Sequence, residues 1–267
     1  MNKLKLNWGA SAALFWLLAL AALAIWSPLS WSPTAALAVA VVLMVFEFVA
    51  LGIWISNRAA GMIIDNRNRM SLSKLQACAW TILVFAALLV AGAFNLSTGA
   101  AATALKIEIP NDLLVAMGIS AVSLAATPAL LSIKAGQDPT DDVLTTAAAN
   151  MPGADAAAKA GAPLTKDDVK NIGSVMTKSD PSEAHLIDLV TGDEVGNFTS
   201  PDLGKIQQLL VTLLLLGVYL VALLHAFGVA KWPIGSLPAL DKSFVELMAI
   251  SHASYLAYKA APHTSTN

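Results

Sequence analysis

Five runs of about 20 mostly apolar residues, at roughly 8 to 26, 34 to 55, 72 to 95, 112 to 133 and 203 to 228, dominate this chain. In hydrocarbon a backbone must satisfy its own amides and carbonyls, so such runs have to be helices. A sixth stretch, about 242 to 260, is shorter and more polar. A hydrophobic fraction of 57%, only 13% charged residues and a mean hydropathy of +0.66 agree. The expectation is an all-α fold, a polytopic membrane helix bundle of six spans. The first run follows Lys3 and Lys5 as a signal peptide does, but it is long enough to span and lacks a cleavage site before Trp26, so it reads as a retained helix. The single cysteine, Cys78, excludes an intramolecular disulfide and sits in an apolar run as a small hydrophobe.

The sixth span is argued from an internal repeat. At an offset of 131 residues, Leu72-Ser73-Lys74-Leu75-Gln76 falls on Leu203-Gly204-Lys205-Ile206-Gln207, Met117-Gly118-Ile119-Ser120 on Met248-Ala249-Ile250-Ser251, and Thr81, Val90-Ala91 and Ser123 on Thr212, Val221-Ala222 and Ser254. One register serving two separated stretches points to duplication of a two-helix unit. Ser71 and Asp202 stand at the matching helix starts, where a side-chain oxygen caps free amides.

Basic residues orient the bundle. Lys3 and Lys5 precede the first span and Arg58, Arg67, Arg69 and Lys74 lie between the second and third, whereas the first connection carries no charge. Both termini are therefore expected on the cytoplasmic side. Trp26, Trp31 and Trp232 would anchor the outer boundary, and Trp8 and Trp54 the inner one. The repeats would then be parallel. Four segments follow: an N-terminal two-helix hairpin at 1–56, a first repeat at 57–134, an acidic, partly disordered cytoplasmic segment at 135–201, and a second repeat at 202–267.

Residues 135 to 204 hold twelve acidic groups against four lysines. The alanine-rich stretch 143 to 163 offers little for a core and reads as a mobile linker. Pro181-Ser182-Glu183 with Leu186, Ile187, Leu189 and Val190 reads as a short amphipathic helix ending near Gly192. Asp188, Asp193 and Glu194 offer carboxylates to a divalent cation or a basic partner. Their spacing matches no calcium loop, which favours a solvated acidic turn.

Glu47 lies in apolar surroundings some 13 residues into the second span, where an ionisable group costs about 2.5–3.5 kcal/mol. It is either a protonatable carboxyl on an ion path or a neutral group tying two helices together. His252 is a possible partner in the sixth span, with His225 near the end of the fifth. Ser120, Ser123 and Thr127 share a helix face, matched by Ser251, Ser254 and Tyr258. These stripes line a water path or pack helices through small residues and hydrogen bonds. Gln76 and Gln207, with Thr81 and Thr212, read the same way. Pro128 interrupts the fourth span, and Lys259 occupies its place in the second repeat.

Ile64-Asp65-Asn66-Arg67-Asn68-Arg69 leading into Ser71-Leu72-Ser73-Lys74-Leu75-Gln76, then Gly192-Asp193-Glu194-Val195-Gly196-Asn197, and Ile250-Ser251-His252-Ala253-Ser254-Tyr255-Leu256 resemble a family of bacterial multi-pass membrane proteins with no assigned activity. The resemblance covers both repeats and the segment before the fifth span. It implies an inner-membrane location and supplies no catalytic residue.

Two functions compete. One is an oligomeric ion channel or transporter-like pore, motivated by Glu47 and the serine stripes. The other is a membrane anchor, scaffold or signalling component that recruits a protein partner through residues 135–201. The expected partners are the lipid bilayer and further copies of the chain, with no nucleic acid because no basic footprint exists. No Walker A loop, H-E-x-x-H pair, nucleophile elbow or spaced cysteine/histidine set is present, so no cofactor or enzymatic activity is expected.

Overall fold

The computed structural model describes residues 8–99 and 101–266. Lys3 and Lys5, used above to orient the first span, lie outside the described residues. Eight α-helices form among those described: α1 Trp8–Ser30, α2 Pro33–Ser56, α3 Leu72–Ser97, α4 Asn111–Ala135, α5 Asp141–Ala149, α6 Ala154–Lys159, α7 Leu203–Val229 and α8 Lys242–Ala260. Of these, α1, α2, α3, α4 and α7 are long and apolar enough to cross a membrane. Helix α8 forms over the expected residues but is not in that set.

The chain divides into two compact units, each drawing one part of α3, α4, α7 and α8. Unit 1 comprises residues 1–63, 75–119 and 212–249; unit 2 comprises 64–74, 120–211 and 250–267. The units cut across the four segments expected from the sequence.

In unit 1, α1 and α2 form a tight hairpin. Ser32 caps α2 by accepting from the Ala35 amide at 3.2 Å, Pro33 opens the helix with its fixed φ, and Asn57 closes it in the left-handed region at φ 57°. Gly9 permits close approach, since a Cβ there would lie 2.6 Å from Trp54 Cα. The Trp16 and Phe46 rings stack at 4.7 Å. Elsewhere the unit buries Trp80 beside Tyr219, whose hydroxyl donates to the Pro238 carbonyl at 3.1 Å. Fully buried Asn95 ties two connections, donating to the carbonyls of Ala104 (3.0 Å) and Ile234 (2.8 Å) and accepting from the Ile234 amide (2.8 Å). Trp232, expected as a boundary anchor, packs its ring against Phe94 and Phe227.

Unit 2 departs most from expectation. Where a mobile linker was expected, α5 and α6 form, and Ala147 and Ala148 are buried with Val169, Met176 and Val195 against Val143, Leu144, Met151, Leu164 and Phe198. The alanines admit close neighbours, and Val143, Leu144, Ala147 and Ala148 make one face of α5, with Met151 just past its end. A two-residue hairpin follows, β1 Asn171–Ile172 paired antiparallel with β2 Val175–Met176. The amphipathic helix expected near 181–192 is instead two 3-10 turns, Pro181–Glu183 and Leu186–Leu189. Local carboxylates close each turn: Asp180 accepts from the Ser182 amide at 2.8 Å and Asp188 from the His185 amide at 3.0 Å. Leu186 and Ile187 remain exposed.

Candidate functional site

The site begins with the loop before α3. The Asp65 carboxylate accepts from the amides of Arg67 (2.9 Å) and Arg69 (3.1 Å), and Asn68 takes φ 59°, a conformation that asparagine tolerates. This compact turn presents both arginines to one side of unit 2. Asn68 Nδ2 donates to the Lys178 carbonyl at 2.8 Å, and the Lys178 amide donates to the Arg67 carbonyl at 2.9 Å.

What the arginines meet is Asp193, only 7% exposed. Arg67 Nη2 lies 3.0 Å from its carboxylate, Lys205 Nζ 3.0 Å and Arg69 Nη1 3.9 Å, and Lys259 Nζ also donates to it. Asp188 is held by Arg69 Nε at 3.3 Å and Lys178 Nζ at 2.8 Å, and Glu194 by Lys134. Lys134 closes α4, Lys205 opens α7 and Lys259 closes α8, so cations from three helix ends and the α3 lead-in converge on residues 188–194. The C-terminal residues join them: the His263 amide donates to Glu194 Oε2 at 2.9 Å, the Gly196 amide to Thr264 Oγ1 at 3.1 Å, and Lys134 Nζ to the Ala261 carbonyl at 2.6 Å.

A solvated acidic turn was expected at Asp188, Asp193 and Glu194; burial in ion pairs replaces it. Burial alone would raise the Asp193 pKa, but Lys205, Lys259, Arg67 and Arg69 override it and hold the carboxyl well below its ordinary value. Burial likewise opposes ionisation of Asp188, and the Lys178 and His185 hydrogen bonds with the Arg69 charge outweigh it, so its pKa is also lowered. Burial disfavours the Arg67 charge, yet Asp193 and Asp65 raise its pKa above that of an ordinary arginine. These carboxylates are thus committed to cations. Among the described residues, no group of three or more His, Cys, Asp or Glu side chains is arranged to hold a metal.

Segments 64–76, 192–197 and 250–256 all contribute residues to unit 2. Sequence reading named the acids but missed their partners. The overlooked signal was a lysine at the end of each of three apolar helices, where an unpaired buried ammonium would be costly.

The other expected residues divide. Ser71 and Asp202 do cap α3 and α7, accepting from the amides of Lys74 (3.4 Å) and Lys205 (2.9 Å). Ser120, Ser123 and Thr127 are all buried, and Thr127 Oγ1 lies 3.1 Å from Ser73 Oγ and 3.2 Å from Tyr255 Oη. Among the described residues, the hydroxyls of Ser120, Ser123 and Ser251 have no hydrogen-bond partner. Ser251 and His252 are buried, whereas Ser254 and Tyr258 are exposed; the buried face of α8 in unit 2 runs through Tyr255 and Lys259 instead. In unit 1, Gln76 Nε2 donates to Thr212. Gln207 is exposed and its neighbour Gln208 takes the buried position, while Thr81 bonds its own helix at the Ala77 carbonyl. Glu47 belongs to unit 1 and His252 to unit 2. Glu47 Oε2 is buried with no hydrogen-bond partner among the described residues. His225 is exposed.

Two cavities within unit 2 border the arginines of the α3 lead-in. One, of about 580 Å³, is bounded by Arg69, Lys178 and Asp188 on its charged side and by Met151, Met176 and Phe198 on its apolar side. Its volume is in the range of small-molecule sites. The other, of about 200 Å³, lies between the α3 lead-in, α4 and β1–β2. No family model, curated protein or solved structure matches this chain.

Proposed function

We propose that this membrane protein is a signalling or scaffold component of a bacterial inner membrane, holding residues 135–201 at the cytoplasmic face to engage a basic partner. The sorting of acids supports this reading best. Of the twelve acidic groups in residues 135 to 204, Asp188, Asp193, Glu194 and Asp202 are buried, while Asp138, Asp141, Asp142, Asp155, Asp167, Asp168, Asp180 and Glu183 are exposed. Buried carboxylates fasten the segment; exposed ones leave its outer surface negative, an arrangement that steers a positively charged partner. Reversing Asp142, Asp155 and Asp167 to lysine in the full chain tests it by in-cell cross-linking. Capture is expected to fall while unit 2 keeps its protease resistance; capture at the unmodified level sinks the reading.

The parallel duplication belongs to the same proposal. Supporting it, Ser71 and Asp202 cap at the 131-residue offset, and the Ser73 to Thr127 contact of α3 with α4 has a counterpart at that offset in α7 with α8, where a Cβ on Gly204 would lie 3.4 Å from Tyr258 Cβ. Orientation is tested by placing one cysteine at Asn150 on a Cys78→Ala background; labelling from the periplasm overturns it.

A second reading, an oligomeric ion-conducting pore, is favoured by Glu47 Oε2, a buried carboxylate oxygen without a partner among the described residues in a membrane-length helix. Ion and proton flux in liposomes, run beside Glu47→Gln, tests this. Flux that the variant alters supports conduction near Glu47; absence of flux at both polarities removes it.

A further inference from the structure

We infer that the smaller cavity of unit 2 is a binding site for the phosphate headgroup of an anionic phospholipid, with the lipid's apolar part along α4. This inference goes beyond the signalling reading and stands without it.

The polar end of the cavity is built at the start of α3. Asn66, Arg67, Ser71 and Lys74 line it. The first amides of a helix lack intrahelical partners and its macrodipole is positive there, so a 26-residue helix beginning at Leu72 favours an anion at this end. Ser71 satisfies the Lys74 amide. Lys74 Nζ donates to the Ile64 carbonyl at 2.7 Å and has no carboxylate partner among the described residues, so its charge is uncompensated. Asp65 also lines the cavity, but its carboxylate is engaged by Arg67 Nε at 2.9 Å and Nη2 at 2.7 Å.

Arg67 supplies an independent pointer. Its side chain is 8% exposed, two of its nitrogens are taken up by Asp65 and Asp193, and Nη1 is buried with no hydrogen-bond partner among the described residues. A buried guanidinium nitrogen left unsatisfied is costly, and a phosphate oxygen is its natural acceptor. The charge of the lining agrees, since Arg67 and Lys74 face one carboxylate, Asp65.

The opposite wall selects a lipid over free phosphate. Leu124, Pro128 and Leu131 sit at i, i+4 and i+7 on α4, one apolar strip along a helix of membrane length. From Leu124 to Ala135, both lining the cavity, α4 rises about 16 Å at 1.5 Å per residue. A strip that long suits an acyl chain and gives nothing to an inorganic ion. Basic pockets of this kind beside membrane helices hold anionic headgroups.

Native mass spectrometry of the full chain, titrated with phosphatidylglycerol, phosphatidylcholine or inorganic phosphate, tests the site. Phosphatidylglycerol is expected to bind about tenfold more tightly than phosphatidylcholine. Lys74→Gln is expected to cut that preference at least about fivefold, and Lys242→Gln, at an exposed position of unit 1, to leave it intact. Arg67→Gln risks the fold, so Lys74→Gln carries the test and protease resistance of residues 135–201 confirms its integrity. Equal binding of the two lipids, or a preference unmoved by Lys74→Gln, overturns the proposal. Binding of inorganic phosphate that depends on Lys74 without any lipid preference also overturns it, in favour of a free-anion site.

Discussion

Lys205 Nζ lies 3.0 Å from Asp193 Oδ1 and donates as well to the carbonyls of Thr191 (2.6 Å) and Asp188 (3.1 Å), so one cation fastens the first turn of α7 to the loop before it. Lys74, at the matching position of α3, reaches a single carbonyl at Ile64. The same residue type, third in α3 and third in α7, therefore serves one helix as a buried clamp and leaves a charge without a carboxylate partner among the described residues in the other.

Removing Asp193 strands several buried cations at once. Asp193→Asn is expected to destabilise unit 2 by about 3–5 kcal/mol, the cost of breaking a buried pair while leaving a partner charged. Adding Lys205→Met is expected to recover part of that loss, because one stranded ammonium disappears. Pulse proteolysis of residues 135–201 measures both, and a Lys205→Met addition that deepens the loss contradicts the account.

Acid should loosen the same unit. Asp188 and Asp193 both ionise more readily folded than an ordinary aspartate does. Their stabilisation is complete above the unfolded value, about 4, and drains away as pH falls from there through the folded values. Hydrogen exchange at the amides of residues 192–196, corrected for intrinsic rate, is expected to quicken as pH falls below about 4.

Asn95 holds two connections of unit 1 with three hydrogen bonds. Asn95→Leu keeps the volume but leaves the Ile234 amide and two carbonyls unsatisfied, an expected loss of about 2–4 kcal/mol. Thermal unfolding in detergent reads it, and a shift no larger than that of a surface leucine substitution refutes the staple.

Glu47 is expected to behave oppositely. Its Oε2 gives up no hydrogen bond when removed, and insertion of an ionisable group into hydrocarbon is costly. Glu47→Leu should therefore raise the stability of the α1–α2 hairpin by about 1–3 kcal/mol. A loss of stability would place a partner on Glu47, such as a second copy of the chain.

How much could be read in advance followed the range of each interaction. Helices α1 to α4 and α7 formed within a few residues of the expected bounds because apolar length is a property of contiguous sequence. The caps at Ser71 and Asp202 were legible for the same reason, each acting on an amide three residues away. Asp193 was legible only as an acid, since Arg67, Lys205 and Lys259 lie 126, 12 and 66 residues from it and no local pattern records such pairings. Gln207 and Gln208 mark a finer limit. The 131-residue offset aligns Gln207 with buried Gln76, yet Gln208 takes the buried position. Ser254 and Tyr258 failed similarly, because a polar face can be read from spacing while the neighbour it turns toward cannot.

The ionic centre of unit 2 also has a timetable. Its groups are drawn from Asp65 through His263, so a chain emerging from the ribosome carries Arg67, Arg69 and Lys134 long before Asp193 and Glu194, and Lys259 arrives last. Until α8 has been made, Asp193 has Arg67, Arg69 and Lys205 but lacks Lys259. Completion of the centre thus waits for α8, and an α3 lead-in and α7 already made would until then be joined by an incompletely partnered Asp193.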